Sequence, residues 1–268
     1  MKKICILICL CMLVSLLGAC NGSKDPEVSV SVADPTTETL LPEESSTEPE
    51  VPVISLEEQF ELIAKDRSNW LPEEEWYYDV YSYVITDLNR NGRVELLVSS
   101  CQGTGIYTMT DVYEVSEDGT QLVRFRNSMG EGASQADIIV GETPAYYNEE
   151  TGIYTYVFSD TMRSGWEWNG VEYHAVYLTE DTVMEWIVAG ASYEWDSEEN
   201  CTDTYYNHVG EDIDEAAFNT AVADYFAGET EMTATFAWQN YNYDEASAMD
   251  TKDWVRFFEA SYEGFNVS

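Results

Sequence analysis

Between Tyr77 and Ala189 the chain passes through one short segment after another rich in aromatic and β-branched residues, each closed by turn residues. This succession limits the fold more than any other feature. The segments are Tyr77 to Thr86, Arg93 to Ser100, Tyr107 to Val115, Gln121 to Phe125, Ala145 to Tyr147, Ile153 to Phe158, Ser164 to Trp168, Val171 to Leu178 and Thr182 to Ala189. Short strands joined by tight turns pair antiparallel. Asn169-Gly170 favours the positive φ angles of a two-residue hairpin. Counting outward predicts Trp168 opposite Val171, Trp166 opposite Tyr173, and Glu167 opposite Glu172.

Helices are expected at both ends of this series. Ser55-Leu56-Glu57-Glu58 fits a capping box, and Leu56, Phe60, Ile63 and Ala64 recur on one helical face. Asp214 can cap a run in which Phe218, Val222, Tyr225 and Phe226 share a face. Ile213 and Phe218 sit at staple spacing, and Gly228 ends the run. A last helix from Thr251 would bury Trp254, Phe257, Phe258 and Tyr262 before Gly264. Helix, then strands, then helices predicts one α+β domain over residues 55–268. Its centre is a mostly antiparallel twisted sheet, with an N-terminal helix and C-terminal helices.

Ahead of that domain the composition changes. Five of the seven prolines fall between residues 21 and 54, among Ser, Thr and Glu and without an aromatic residue. Such a stretch cannot bury enough apolar surface to offset its ordering entropy, and it reads as an extended tether. Residues 1–20 consist of Met-Lys-Lys, an apolar run from Ile4 to Leu17, and Gly18-Ala19-Cys20. This order resembles a bacterial lipoprotein signal. The resemblance implies an acylated Cys20 as the mature N-terminus, moored at the outer face of the cytoplasmic membrane or on an outer membrane. An ordinary secretory signal or a poor membrane helix is the alternative.

With 12 basic and 51 acidic residues the chain carries a formal charge of −39. That charge repels nucleic acid and anionic lipid and makes hard cations the natural small partners. Cys5, Cys9 and Cys11 leave with the signal. Cys101 and Cys201 remain, either bridged or as two free, buried thiols. A bridge closing a loop of about 100 residues would contribute about 4–5 kcal/mol if the geometry allowed it.

The sharpest chemical motif is Asp87-Leu88-Asn89-Arg90-Asn91-Gly92-Arg93-Val94-Glu95. Oxygen-bearing side chains stand at positions 1, 3, 5 and 9, and glycine at 6 permits a sharp turn. Calcium needs several oxygens converging at about 2.3–2.6 Å, which alternate residues of a tight loop can supply. The carbonyl of Arg93 would complete the set. Position 12 is Val98, so the loop is not an EF-hand. It resembles the shorter D-x-N-x-N-G-x-x-E loops of FG-GAP repeats and dockerin-like modules, and similar loops of bacterial surface lipoproteins. The resemblance covers Tyr83 to Val98 only, and a single copy does not imply a propeller. It implies a calcium-stapled hairpin, held by Asp87, Asn89, Asn91, the Arg93 carbonyl and Glu95. The competing expectation is a metal-free Asn-Gly turn with Glu95 solvated.

His174 and His208 are the only histidines, and no zinc, nucleophile-elbow or P-loop motif accompanies them. Both read as ordinary sheet or loop residues. Trp166 and Trp168, with Trp186, Trp195 and Trp238, are candidates for stacking on glycan rings; the alternative is that they fill sheet and core positions. In the adjacent pairs Tyr146-Tyr147 and Tyr205-Tyr206, one ring of each is expected to be exposed. Together these features describe a lipid-anchored extracytoplasmic lipoprotein with a calcium-stabilised domain that binds a glycan, another ligand or an envelope protein. An extracytoplasmic hydrolase of glycan or peptide, with a carboxylate site lacking a motif, is the rival reading.

Overall fold

A computed structural model describes residues 54–72, 80–102, 107–129 and 135–268. The signal with Cys20, the tether up to residue 53, and the first three residues of the strand expected from Tyr77 lie outside the described residues. The helices are α1 (Leu56–Lys65), α2 (Arg67–Trp70), α3 (Glu215–Tyr225), α4 (Tyr243–Ala248) and α5 (Thr251–Gly264). The first strands are β1 (Val80–Thr86), β2 (Glu95–Gln102), β3 (Tyr107–Val115), β4 (Leu122–Arg124) and β5 (Arg126–Asn127). They are followed by β6 (Glu142–Asn148), β7 (Ile153–Ser164), β8 (Trp168–Leu178), β9 (Thr182–Trp195) and β10 (Cys201–Asn207). The short strands β11 (Asp212–Ile213), β12 (Thr230–Thr235), β13 (Gln239–Asn242) and β14 (Asn266–Val267) complete the set.

The chain is α+β and its pairing is mostly antiparallel, as the strand series predicts. Two sheets form rather than one. The smaller has the order β13-β1-β2-β3-β4. The larger has the order β11-β10-β9-β8-β7-β6-β12-β14, with β5 parallel to β9. Alternation along β1 explains the layering. Tyr83 and Ile85 point to one side, where they join Phe60 and Ile63 of α1 and Trp254 and Phe258 of α5. Val84 points to the other, where it joins Leu97 and Val112 and meets Tyr156, Phe158 and Val176 of the larger sheet. The outer face of the larger sheet is covered by α3, through Phe218 against Ala189 and Ala191. The layers therefore run helices, small sheet, large sheet, helix.

The caps form where the residues call for them. Ser55 Oγ accepts from the Glu58 amide at 3.3 Å, and Glu58 accepts from the Ser55 amide at 2.8 Å. Asp214 accepts from the Ala217 amide at 2.8 Å. Phe226 follows α3 and stacks on Tyr146 at 4.3 Å between centroids. Leu56 departs from its expected face and is 40% exposed, while Gln59 is buried in α1. No helix among the described residues is long and apolar enough to cross a membrane.

The hairpin expected at Asn169-Gly170 turns four residues earlier. Ser164 pairs with Trp168, so Gly165, Trp166 and Glu167 form the turn, with Gly165 at φ +62°. Asn169 lies inside β8, and its side-chain oxygen accepts from Arg163 Nε at 3.0 Å. Gly170 is needed for space rather than for a turn: a Cβ there would come within 2.7 Å of the Trp168 ring. Glu172 consequently faces Asp160, not Glu167.

Cys101 and Cys201 are free and exposed, so neither the bridge nor the buried pair is formed. One lies in the small sheet and the other opens β10 of the large sheet.

Candidate metal centre

The loop from Asp87 to Glu95 joins β1 to β2 and is closed by the Thr86–Glu95 pair. Its shape follows from local hydrogen bonds. Asn89 Oδ1 accepts from the Asn91 amide at 3.1 Å, and Asn91 Oδ1 accepts from the Arg93 amide at 2.7 Å. Asp87 Oδ2 accepts from the Gly92 amide at 3.3 Å. Gly92 adopts φ +80°, which a residue without Cβ tolerates, and Arg90 adopts φ +58°.

Neighbouring elements fix the loop from outside. Gln59 of α1 donates to the Gly92 carbonyl at 3.0 Å and accepts from the Val94 amide at 2.8 Å. Tyr156 of β7 donates to the Leu88 carbonyl at 2.7 Å. The Arg90 guanidinium lies 5.3 Å from the centroid of the Phe265 ring. The loop is thus the point at which α1 and both sheets meet.

Three carboxylates converge here. Asp87 is 6% exposed, Glu95 0% and Glu114 of β3 3%. Glu95 and Glu114 are directly opposite across β2 and β3, a like-charge pairing that is destabilising without a compensating group. Arg93 supplies part of it, reaching Glu114 Oε2 through Nε at 3.1 Å and Nη2 at 2.7 Å. Glu95 Oε2 accepts from the Leu88 amide at 2.8 Å and from Thr86 Oγ1 at 2.9 Å. Burial nonetheless pushes the Glu95 carboxyl up to about 8, with the Asp87 and Glu114 charges adding to it. Burial also raises the Asp87 carboxyl, against the Gly92 and Asn91 amides and the Arg90 charge.

Two oxygens of this loop have no hydrogen-bond partner, Asp87 Oδ1 and Glu95 Oε1; Tyr83 Oη and Glu229 Oε2 are the other such buried oxygens among the described residues. A buried acceptor left unpaired costs about 1–3 kcal/mol, and more when charged. A hard divalent cation bound to both carboxylates would remove this cost, and a proton on the raised Glu95 carboxyl would lessen it. The amide oxygens of Asn89 and Asn91 each retain a lone pair beyond the one used in the loop. These residue types are the oxygen donors that calcium takes, while no group of three His, Cys, Asp or Glu side chains among the described residues is spaced to hold a metal. Two carboxylates, two amides and a main-chain carbonyl would make a modest site of low net charge. Glu95 is not solvated, as a plain metal-free turn would have it. Glu114 was not legible in the motif, since it arrives from another strand.

His174 forms a second charged cluster on β8, and it is 1% exposed. Its Nδ1 lies 2.8 Å from Glu185 Oε1 and its Nε2 3.2 Å from Glu172 Oε2. Burial works against the charged ring, but the two carboxylates outweigh it and raise the imidazole to about 9. A histidine that keeps its proton at neutral pH, with both nitrogens engaged, has no lone pair for base catalysis or for a metal. Tyr206 donates to Glu172, and its ring end lies over Gly190. Gly190→Ala is expected to push Tyr206 off Glu172 and to cost about 1–3 kcal/mol in urea unfolding. A midpoint equal to wild type would mean that this contact is slack.

Of the five candidate tryptophans, all among the described residues, one is exposed. Trp166 is 62% exposed at its turn, while Trp168, Trp186, Trp195 and Trp238 are half-buried. Trp168 is tied into the sheet through Nε1 to Ser192 Oγ at 2.7 Å. In the adjacent tyrosine pairs neither ring is fully exposed: Tyr146 is buried, and Tyr147, Tyr205 and Tyr206 are half-buried. A cavity of about 40 Å³ lies between the sheets behind Leu88 and Tyr156, large enough for water but not for an organic ligand.

In comparisons with known proteins, no family model, no curated protein and no solved structure matches the chain.

Proposed function

We propose that this chain is a membrane-anchored extracytoplasmic lipoprotein whose domain, residues 55–268, binds a ligand or an envelope partner and is stabilised by one structural calcium ion. The observation that carries the calcium reading is the pair of buried, unpartnered oxygens, Asp87 Oδ1 and Glu95 Oε1. Asp87, Asn89, Asn91, Glu95 and the Arg93 carbonyl would hold the ion. Its contribution is charge: it offsets two carboxylates that burial otherwise drives towards protonation. The loop's ties to α1, to β7 and to Phe265 mean that ordering it orders the junction between the layers.

Anchorage rests on the Cys20 sequence, and partner binding on an acidic surface with Trp166 projecting from a turn. The hydrolase reading gains nothing from the raised Glu95 carboxyl. That group is fully buried and bonded to Thr86 and Leu88, where no substrate reaches it. Fractionation of producing cells tests the anchor. Wild type is expected in the membrane fraction and Cys20→Ser in the soluble fraction; equal retention of both would overturn lipid anchoring.

A further inference from the structure

We propose that Glu114 is the positioning residue of the calcium loop: it fixes which way the Asn89 and Asn91 amides point. The inference rests on the calcium reading. An asparagine can present either its oxygen or its NH2 group to a cation, and only the oxygen is a ligand. Glu114 Oε1 accepts from Asn89 Nδ2 at 2.9 Å and from Asn91 Nδ2 at 2.8 Å. An ionised carboxylate accepts only, so it selects the nitrogen of each amide and leaves the oxygen turned into the loop. There each Oδ1 accepts from a loop amide, which holds the same orientation from the other end.

Glu114 is itself unsuited to be a ligand. Its four acceptor positions are taken, two by the asparagines and two by the Arg93 fork. Arg93 also cancels its charge at 2.7 Å, which leaves Asp87 and Glu95 as the two negative charges facing the ion. A divalent cation matches that sum. This carboxylate thus works from outside the donor set, as hydrogen-bonded partners of metal ligands generally do.

Terbium(III) added to the full chain as a calcium substitute tests the proposal, because its luminescence lifetimes in H2O and D2O report the number of waters on the ion. Glu114→Gln is expected to weaken terbium binding about 10–100-fold and to add about one or two bound waters. Glu114→Asp, which keeps the charge beside Arg93 but is one methylene too short for both amides, serves if the first variant does not fold. The same added water is expected. Placing Asp at both ligand positions (Asn89→Asp with Asn91→Asp) in the Glu114→Gln background should recover the wild-type water number, since a carboxylate needs no orienting. Unchanged affinity and hydration in both Glu114 variants would overturn the positioning role while leaving the ion site intact. A wild-type chain that takes up no terbium would overturn the calcium reading itself, and this inference with it.

Discussion

Calcium added to the chelated protein is expected to raise its melting temperature by about 5–10 °C. An ion that binds only the folded chain, present at about 100 times its dissociation constant, stabilises by about 2.7 kcal/mol. A domain of this size shifts by about 2–4 °C for each kcal/mol. The gain has a specific source: two buried carboxylate oxygens acquire the partner they lack. Asp87→Ala removes one of them and opens the donor set, so the calcium increment should vanish in that variant. Its metal-free melting temperature should change less, because the carboxylate it removes is itself costly to bury. A calcium shift of equal size in Asp87→Ala would move the ion to another place on this acidic surface.

The metal-free protein should lose stability as pH rises from about 5 to 9. Glu95 is raised from 4.5 to about 8 in the folded chain, so its contribution is complete below pH 4.5 and is lost as pH climbs through 8. His174 is raised from 6.5 to about 9. Its contribution is complete below pH 6.5 and is lost as pH climbs through 9. The two windows overlap between 6.5 and 8, where the decline should be steepest. Glu172 acts at the other end. Its carboxyl is lowered by His174, so its stabilisation is present above pH 4.5 and is lost on acidification.

Urea midpoints at intervals from pH 5 to 9.5 measure this profile. His174→Gln should flatten the part between 6.5 and 9. Calcium should flatten the Glu95 part, because the ion takes the place of the proton. The melting gain from calcium therefore grows with pH between about 6 and 8. A metal-free profile that is level or rising across this range would contradict the assignment of both groups.

The elements that local chemistry controls were legible in the sequence. Ser55, Asp214 and the Thr251 region signal their helices because capping is a matter of a few adjacent residues. The turn from Asp87 to Glu95 was legible for the same reason, since Asp87, Asn89 and Asn91 close it through amides of the loop itself. What was not legible depends on partners far along the chain. The Asn169-Gly170 pair has the composition of a turn, yet Gly170 is required by the Trp168 ring, and the turn falls at Gly165. Strands β7 and β9 run on past Phe158 and Ala189 into Asp160–Ser164 and Gly190–Trp195, where Asp160, Ser164, Gly190 and Ser192 have little strand preference of their own. Only pairing with neighbours holds them extended.

Glu114 belongs to the same class. In a linear reading it is one acid among 51 acidic residues, and only the β2–β3 register sets it against Glu95. The charged cluster at His174 likewise needs β8, β9 and β10 side by side before Glu172, Glu185 and Tyr206 meet. The cysteines show the converse: an even number of thiols does not bring Cys101 of one sheet to Cys201 of the other.

Isothermal titration of calcium into the chelated full-length chain bears on the ion directly. One ion per chain is expected, with uptake abolished when Asp87→Asn and Glu95→Gln are combined. No heat at millimolar calcium, or undiminished uptake by the double variant, would show that the two unpartnered oxygens do not mark a cation site.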